Sequence, residues 1–113
     1  MMGTKGITTV LHPVADLAAA KAVYTALLGA EPSTDSEYYV GYDVGGQHIG
    51  LVPGGAEKGP VAYWAVDDIE GKLAEVSEAG GTIKDAPRDV GGGRRVATFT
   101  DVDGNVLGVL QDG

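Results

Sequence analysis

Histidine is the side chain best suited to moving protons near neutral pH, and this chain holds two, His12 and His48, with no cysteine beside them. Without thiols there is no disulfide framework, zinc knuckle or sulfur nucleophile. Paired carboxylates stand at Asp67-Asp68 and at Asp101 with Asp103, a pattern that acid–base chemistry uses. Their places at a helix start and a hairpin turn account for them as capping and turn residues. Arg94-Arg95 is a lone basic pair, too small for nucleic acid, though one of them could hold a ligand carboxylate. Gly91-Gly92-Gly93 is followed neither by the Lys-Ser/Thr of a phosphate loop nor by a helix. Ser33, Ser36 and Ser77 fall in loop or helix-surface contexts, so no serine triad is readable. What remains is two histidines and a set of tyrosines, whose use depends on the elements that carry them.

Those elements alternate regularly. Residues 7–14 are apolar and β-branched and read as a strand. Asp16 has the chemistry of an N-cap, and Leu17, Ala20, Val23, Tyr24, Leu27 and Leu28 recur at helical spacing until Gly29 and Pro32 end the helix. Strands at 38–44 and 48–52 flank a Gly45-Gly46 turn. The segment PGGAEKGP, 53–60, has linker chemistry. The order then repeats: a strand at 61–66, a cap at Asp67 or Asp68, and a helix stripe of Ile69, Leu73 and Val76 ended by Gly80-Gly81. A short strand at 82–83 and a hairpin of 96–100 with 105–110 around Asp103-Gly104 complete it.

The repeat can be read residue by residue. GYDVGGQHIGLVP (41–53) aligns without a gap on the phrase TDVDGNVLGVLQ, setting Asp43 over Asp101 and Gly50 over Gly108. The capping aspartates are 68 − 16 = 52 apart, the helix-ending glycines 81 − 29 = 52, and the hairpins 101 − 43 = 58. About six extra residues therefore precede the second hairpin, and 86–95 is their natural place. This is one domain over 1–113 made of two β-α-β-β(-β) modules, about 5–53 and 61–112, joined by a linker at about 54–60. Neither module is long enough to bury a sufficient core alone.

Composition excludes several partners. No apolar run approaches the roughly 18 residues of a membrane span. A net charge of −8 argues against nucleic acid, which wants a basic surface. MMGTKGITTV lacks the layout of a secretory signal, and with no cysteine the expected location is cytoplasmic.

PVADLAAAKAVYTALLG (13–29), VDDIEGKLAEVSEAGG (66–81) and DVDGNVLGVLQ (101–111) together resemble the vicinal oxygen chelate superfamily, which holds glyoxalase I, extradiol dioxygenases, and fosfomycin- and bleomycin-resistance proteins. The resemblance covers nearly the whole chain. It implies an α+β fold in which two tandem βαβββ modules form a cup-shaped, eight-stranded mixed sheet with helices on the convex face. It does not imply a reaction, since enzymes and binding proteins share this architecture. In metal-dependent members each module supplies one ligand from its first strand, seven residues before the capping Asp, and one from its last strand. Carried over, these positions are Thr9 (16 − 7) and Val61 (68 − 7), with Gly50 and Gly108. None is His, Glu or Asp, so the expectation is no metal and no cofactor. A glycine within a strand can also mark a bulge or a close backbone approach, and both explanations are compatible.

Strand alternation from those positions predicts the inner face. It places there Thr9 and Leu11; Tyr38, Val40, His48, Gly50 and Val52; and Val61, Tyr63, Arg94, Val96, Thr98, Val106, Gly108 and Leu110. The candidate ligand-binding residues are Leu11, Tyr38, His48, Gly50, Tyr63, Arg94, Thr98 and Gly108, with no catalytic residue assigned. His12 and Trp64 are expected to pack toward the helices. Such a mainly apolar face with a few polar groups suits a small organic molecule. The expected function is a metal-free binding protein of the glyoxalase/bleomycin-resistance type, sequestering a toxic or antibiotic-like compound. The alternatives are a glyoxalase- or dioxygenase-like lyase or isomerase on a small organic substrate, and a subunit acting only through partner contacts. Exposed edges and apolar surface suggest a homodimer, and the glycine-rich segment 86–95 is expected to act as a flap.

Overall fold

The computed structural model describes residues 3–53 and 59–113, so most of the expected linker lies outside the described residues. The chain divides into two compact units, one running from Thr8 to Val61, the other combining residues 1–7 with Ala62–Gly113. The first carries β1 (Ile7–Val14), α1 (Leu17–Leu28), β2 (Thr34–Asp35), β3 (Val40–Val44) and β4 (Gln47–Pro53). Its strands lie in the order β2-β3-β4-β1, with β1 parallel to β4 and the rest antiparallel. The second carries β5 (Val61–Ala65), α2 (Ile69–Glu78), β6 (Thr82–Asp89), β7 (Arg95–Thr100) and β8 (Val106–Gln111). Its order, β6-β7-β8-β5 with β5 parallel to β8, is the same topology again. The two units together hold eight strands of mixed direction, β2-β3-β4-β1 in the first and β6-β7-β8-β5 in the second. The expected α+β architecture of repeated βαβββ modules is therefore the one adopted.

Both helices start as their caps dictate. The Asp16 carboxylate accepts from Ala19 N at 3.1 Å and Asp68 from Gly71 N at 3.0 Å, satisfying N–H groups that the first turn leaves without partners. Gln111 from β8 adds a third acceptor, taking the Ile69 N–H at 2.7 Å. Gly29 ends α1 in the left-handed conformation at φ 64°.

Each unit has its own apolar core between helix and strands. Val40, Tyr42 and Leu51 are buried under Val14, Leu17, Ala20, Tyr24 and Leu28. The Tyr42 hydroxyl hydrogen-bonds Thr25 Oγ1 at 2.8 Å and donates to Lys21 O at 3.1 Å, locking β3 to α1. In the second unit Val66, Ile69, Leu73, Ala97 and Val109 form the core, with Phe99 against it. A fully buried Leu51 or Ile69 stabilises by about 1.5–3 kcal/mol. The α1 stripe is narrower than the spacing predicts: Val23 and Leu27 point to solvent, 65% and 75% exposed.

Two boundaries differ from the sequence reading. β3 begins at Val40, so Tyr38 precedes it. β6 runs to Asp89, so residues 86–89 of the expected flap belong to the strand, with Arg88 and Asp89 paired to β7. The turn itself is Gly91-Gly92-Gly93, with φ of 107°, 64° and 79°, a run that only glycine adopts without strain.

Candidate functional site

In the first unit, the sheet face away from α1 is floored by a glycine pair. Gly41 lies across from Gly50 on β3 and β4. A β-carbon at Gly41 would stand 2.8 Å from both His48 Cε1 and Tyr39 Cε2. One at Gly50 would overlap the Tyr39 hydroxyl, with Leu11 Cδ2 at 2.6 Å and Tyr39 Cζ at 2.8 Å. These strand glycines serve close approach, because the space above each is filled by a neighbour's side chain.

On this floor the Tyr39 and His48 rings are within 8° of parallel, and the phenol is hydrogen-bonded to His48 Nε2. The other ring nitrogen, Nδ1, lies 2.9 Å from Asp43 Oδ1. The carboxylate can only accept, so this network assigns the imidazole proton to Nδ1, and Nε2 accepts from the Tyr39 hydroxyl. The result is a continuous Asp43–His48–Tyr39 chain, with the His48 side chain 23% exposed. Thr9 is in register with His48, and its Oγ1 is buried with no hydrogen-bond partner among the described residues.

The expectation for Tyr38 fails: it is 78% exposed. The two-residue Gly45-Gly46 turn pairs Val44 with Gln47, which sets Asp43 opposite His48 and Gly41 opposite Gly50. Odd-numbered residues of this stretch therefore share the face of His48, and Tyr39 takes the place expected for Tyr38. Val40, also expected on that face, is buried on the α1 side. Leu11, His48 and Gly50 do come together. His12 turns the other way, as expected, with Nδ1 3.1 Å from the Tyr24 hydroxyl. Burial holds its pKa below the usual imidazole value.

The second unit repeats the floor with one glycine. Tyr63 is in register with Gly108, whose β-carbon would stand 2.6 Å from Tyr63 Cε2 and 2.8 Å from Cγ. The same pairing joins Leu11 to Gly50, at the repeat's own offsets of 63 − 11 = 52 and 108 − 50 = 58. Tyr63 is buried, which pushes its phenol pKa up; the Arg88 guanidinium offsets part of that rise and Asp85 adds to it. Thr98, across from Gly108 on β7, donates to Asp85 Oδ2 at 2.6 Å. Thr98 and Gly108 thus share one face with Tyr63. Arg94 instead donates to Asp112 Oδ1 at 2.6 Å and Oδ2 at 3.2 Å, while Arg95 pairs with Glu70 on α2.

Sequence reasoning missed Tyr39, Asp43, Asp85 and Arg88. The register implied by a two-residue turn would have exposed the first two. Nothing in the sequence marks the irregularities of β6 that place the others.

The positions that the family resemblance sets at the metal ligands, Thr9, Gly50, Val61 and Gly108, do not fit a divalent cation. Thr9 offers one neutral hydroxyl, Val61 no donor, and the space that a side chain at either glycine would enter holds Leu11 and Tyr39, or Tyr63.

A duplicated βαβββ unit with its parallel first and last strands defines a recognised class of protein. The profile of the Glyoxalase/Bleomycin resistance protein/Dioxygenase superfamily matches residues 6–109, and the chain belongs to that superfamily. Solved structures share the fold at low identity. A superfamily member from Vibrio splendidus 12B01 is 18% identical with a TM-score of 0.72, over 92% of this chain and 97% of that one. Methylmalonyl-CoA epimerase from Mycobacterium tuberculosis is 17% identical with a TM-score of 0.74, over 100% and 93%. The Mn(II)-bound glyoxalase from Novosphingobium aromaticivorans is 22% identical with a TM-score of 0.78, over 99% of this chain but 40% of that one. No curated protein matches this chain.

Proposed function

We propose that this chain is a metal-free binder of a small organic molecule, of the glyoxalase/bleomycin-resistance type, acting as a cytoplasmic homodimer that sequesters a toxic or antibiotic-like compound. One observation carries the metal-free reading: the space beside Gly50 and Gly108, the positions the resemblance sets at the metal ligands, is filled by Leu11 and Tyr39 or by Tyr63. The groups each unit offers a ligand on its own sheet face are Leu11, Tyr39, His48 and Gly50 in the first and Tyr63, Thr98 and Gly108 in the second. Apolar surface with a few hydroxyl and imidazole groups is the usual lining of a small-molecule site. Exposed Val23 and Leu27, and the edge strands β2 and β6, support self-association. Native mass spectrometry of gently purified protein tests the whole proposal. It should show a dimer of the 11.5 kDa chain, a retained small organic compound and no divalent metal. One tightly held metal per chain would overturn it.

A second reading, a metal-independent isomerase or lyase, is favoured by the Asp43–His48–Tyr39 chain. Transfer of the Tyr39 proton to His48 Nε2 would leave a phenolate beside an imidazolium that Asp43 stabilises. That phenolate could take a proton from an acidic C–H of a bound molecule and return it elsewhere. Solvent deuterium appearing in the retained compound, and its loss in Tyr39→Phe, would select this reading over passive binding.

A further inference from the structure

We propose that Arg88 and Tyr63 form a subsite for the carboxylate of a small, otherwise apolar organic acid, a deepening that rests on the small-molecule reading above. The chain has three arginines. Arg94 and Arg95 each lay their guanidinium across a carboxylate, of Asp112 and Glu70. Arg88 has no carboxylate partner among the described residues, although the chain carries a net charge of −8.

Its position is set by an irregularity in β6. Asp85 is paired with Thr98 and Arg88 with Val96, with a register shift between the two pairs. Residues three apart on a regular strand point to opposite faces; the extra residue turns both to the same one. Thr98 and Val96 are two apart on β7 and across from Gly108 and Leu110, so Arg88 is delivered to the face of Tyr63. Bulges commonly re-aim a side chain beside a functional site.

Tyr63 supplies the second donor. Its ring is 8% exposed, yet its hydroxyl has no hydrogen-bond partner among the described residues. Arg88 lies on the same face as this phenol, and its positive charge offsets part of the rise that burial causes in the phenol pKa. Asp85 accepts the Thr98 hydroxyl and keeps its negative charge on this face. A planar fork with one positive charge, plus a neutral phenol donor, matches a monoanionic carboxylate. A phosphate dianion would meet too little positive charge next to Asp85. Val96, partly exposed on this face, offers the ligand's body an apolar contact.

The test titrates the full-length isotope-labelled protein with phenylacetate and with phenylacetamide, following backbone amides by NMR. Phenylacetate should bind at least about tenfold more tightly than the amide, a charge-assisted contact being lost in the latter. The largest shifts should fall at Tyr63, Arg88 and Val96. Arg88→Met should abolish the preference for the acid over the amide, and Tyr63→Phe should weaken the acid a few-fold. Arg88 is exposed, so its replacement should leave the spectrum folded. Equal binding of acid and amide at this face would overturn the carboxylate subsite and leave the small-molecule reading standing. So would an acid preference that survives in Arg88→Met. Shifts centred on Arg94 and Asp112, or no binding of either probe, would overturn the subsite as well, and the compound retained in native mass spectrometry then judges the broader reading separately.

Discussion

Individual glycines and histidines decide most of the chemistry. Gly108 was legible as a special position because it repeats Gly50, but not what replaces the missing side chain, since a glycine is silent about the ring that covers it. If Tyr63 is that cover, Gly108→Ala should cost about 1–3 kcal/mol from overpacking, measured by denaturant unfolding. With Tyr63→Ala in the same chain the two losses should be less than additive by at least about 0.5 kcal/mol; strict additivity would mean the ring does not occupy that space. His12 gives the pH dependence. Burial lowers its folded pKa, so below the unfolded value of 6.5 the unfolded chain binds more protons than the folded one. Stability therefore falls as pH drops through 6.5 and levels off once the folded histidine has also titrated. Asp101, Asp112 and Glu70, whose pKa values are lowered by their hydrogen-bond partners, have reference values of 3.8 to 4.5 and lose their contributions only at lower pH. Melting temperature should thus decline less between pH 7 and 5 in His12→Gln than in the wild type. Parallel declines would show that His12 is not the group responsible.

The elements show which signals travel through sequence and which do not. Helix caps are local, so Asp16 and Asp68 were readable from one residue type in front of an apolar period. Replacing either with Ala should cost about 0.5–2 kcal/mol in unfolding free energy, since each satisfies one N–H that otherwise has no partner in the helix. No loss in Asp68→Ala would mean that Gln111 alone satisfies the first turn of α2. Strand register is not local in the same way. Alternation counted from Thr9 in β1 and from Gly50 in β4 gives the observed faces, because each reference position lies in the strand itself. It failed across the turn, where counting by parity from Gly50 ignored that Gly45 and Gly46 pair Asp43 with His48. The error moved the aromatic contact by one residue, from Tyr39 to Tyr38, and hid the Asp43–His48–Tyr39 chain. β6 was truncated for a different reason. Its sequence, TIKDAPRD, is polar and interrupted by Pro87 because it is an edge strand, and edges lack the apolar run by which strands are recognised.

Across the whole molecule, duplication was the most legible feature, because two copies of one phrase at constant offsets demand a common structure. The proposed absence of a metal site is compatible with an intact fold. The helix–strand cores of the two units use Val40, Tyr42, Leu51, Ile69, Leu73 and Val109, none of them at a family metal position. Purified protein should accordingly contain well under one equivalent of zinc, iron, manganese or nickel per chain by elemental analysis. A chelator should leave its melting temperature unchanged, since an ion that does not bind the native state contributes no stability. Gly50→Glu should not restore a site: the carboxylate would have to displace Leu11 and Tyr39 and would still find only the Thr9 hydroxyl and Val61 at the remaining first-strand positions. Its destabilisation, about 1–3 kcal/mol for an imperfectly satisfied buried polar group, should persist at millimolar manganese. Rescue by manganese, or a wild-type melting temperature that falls with chelator, would show that donors other than these four positions converge on an ion.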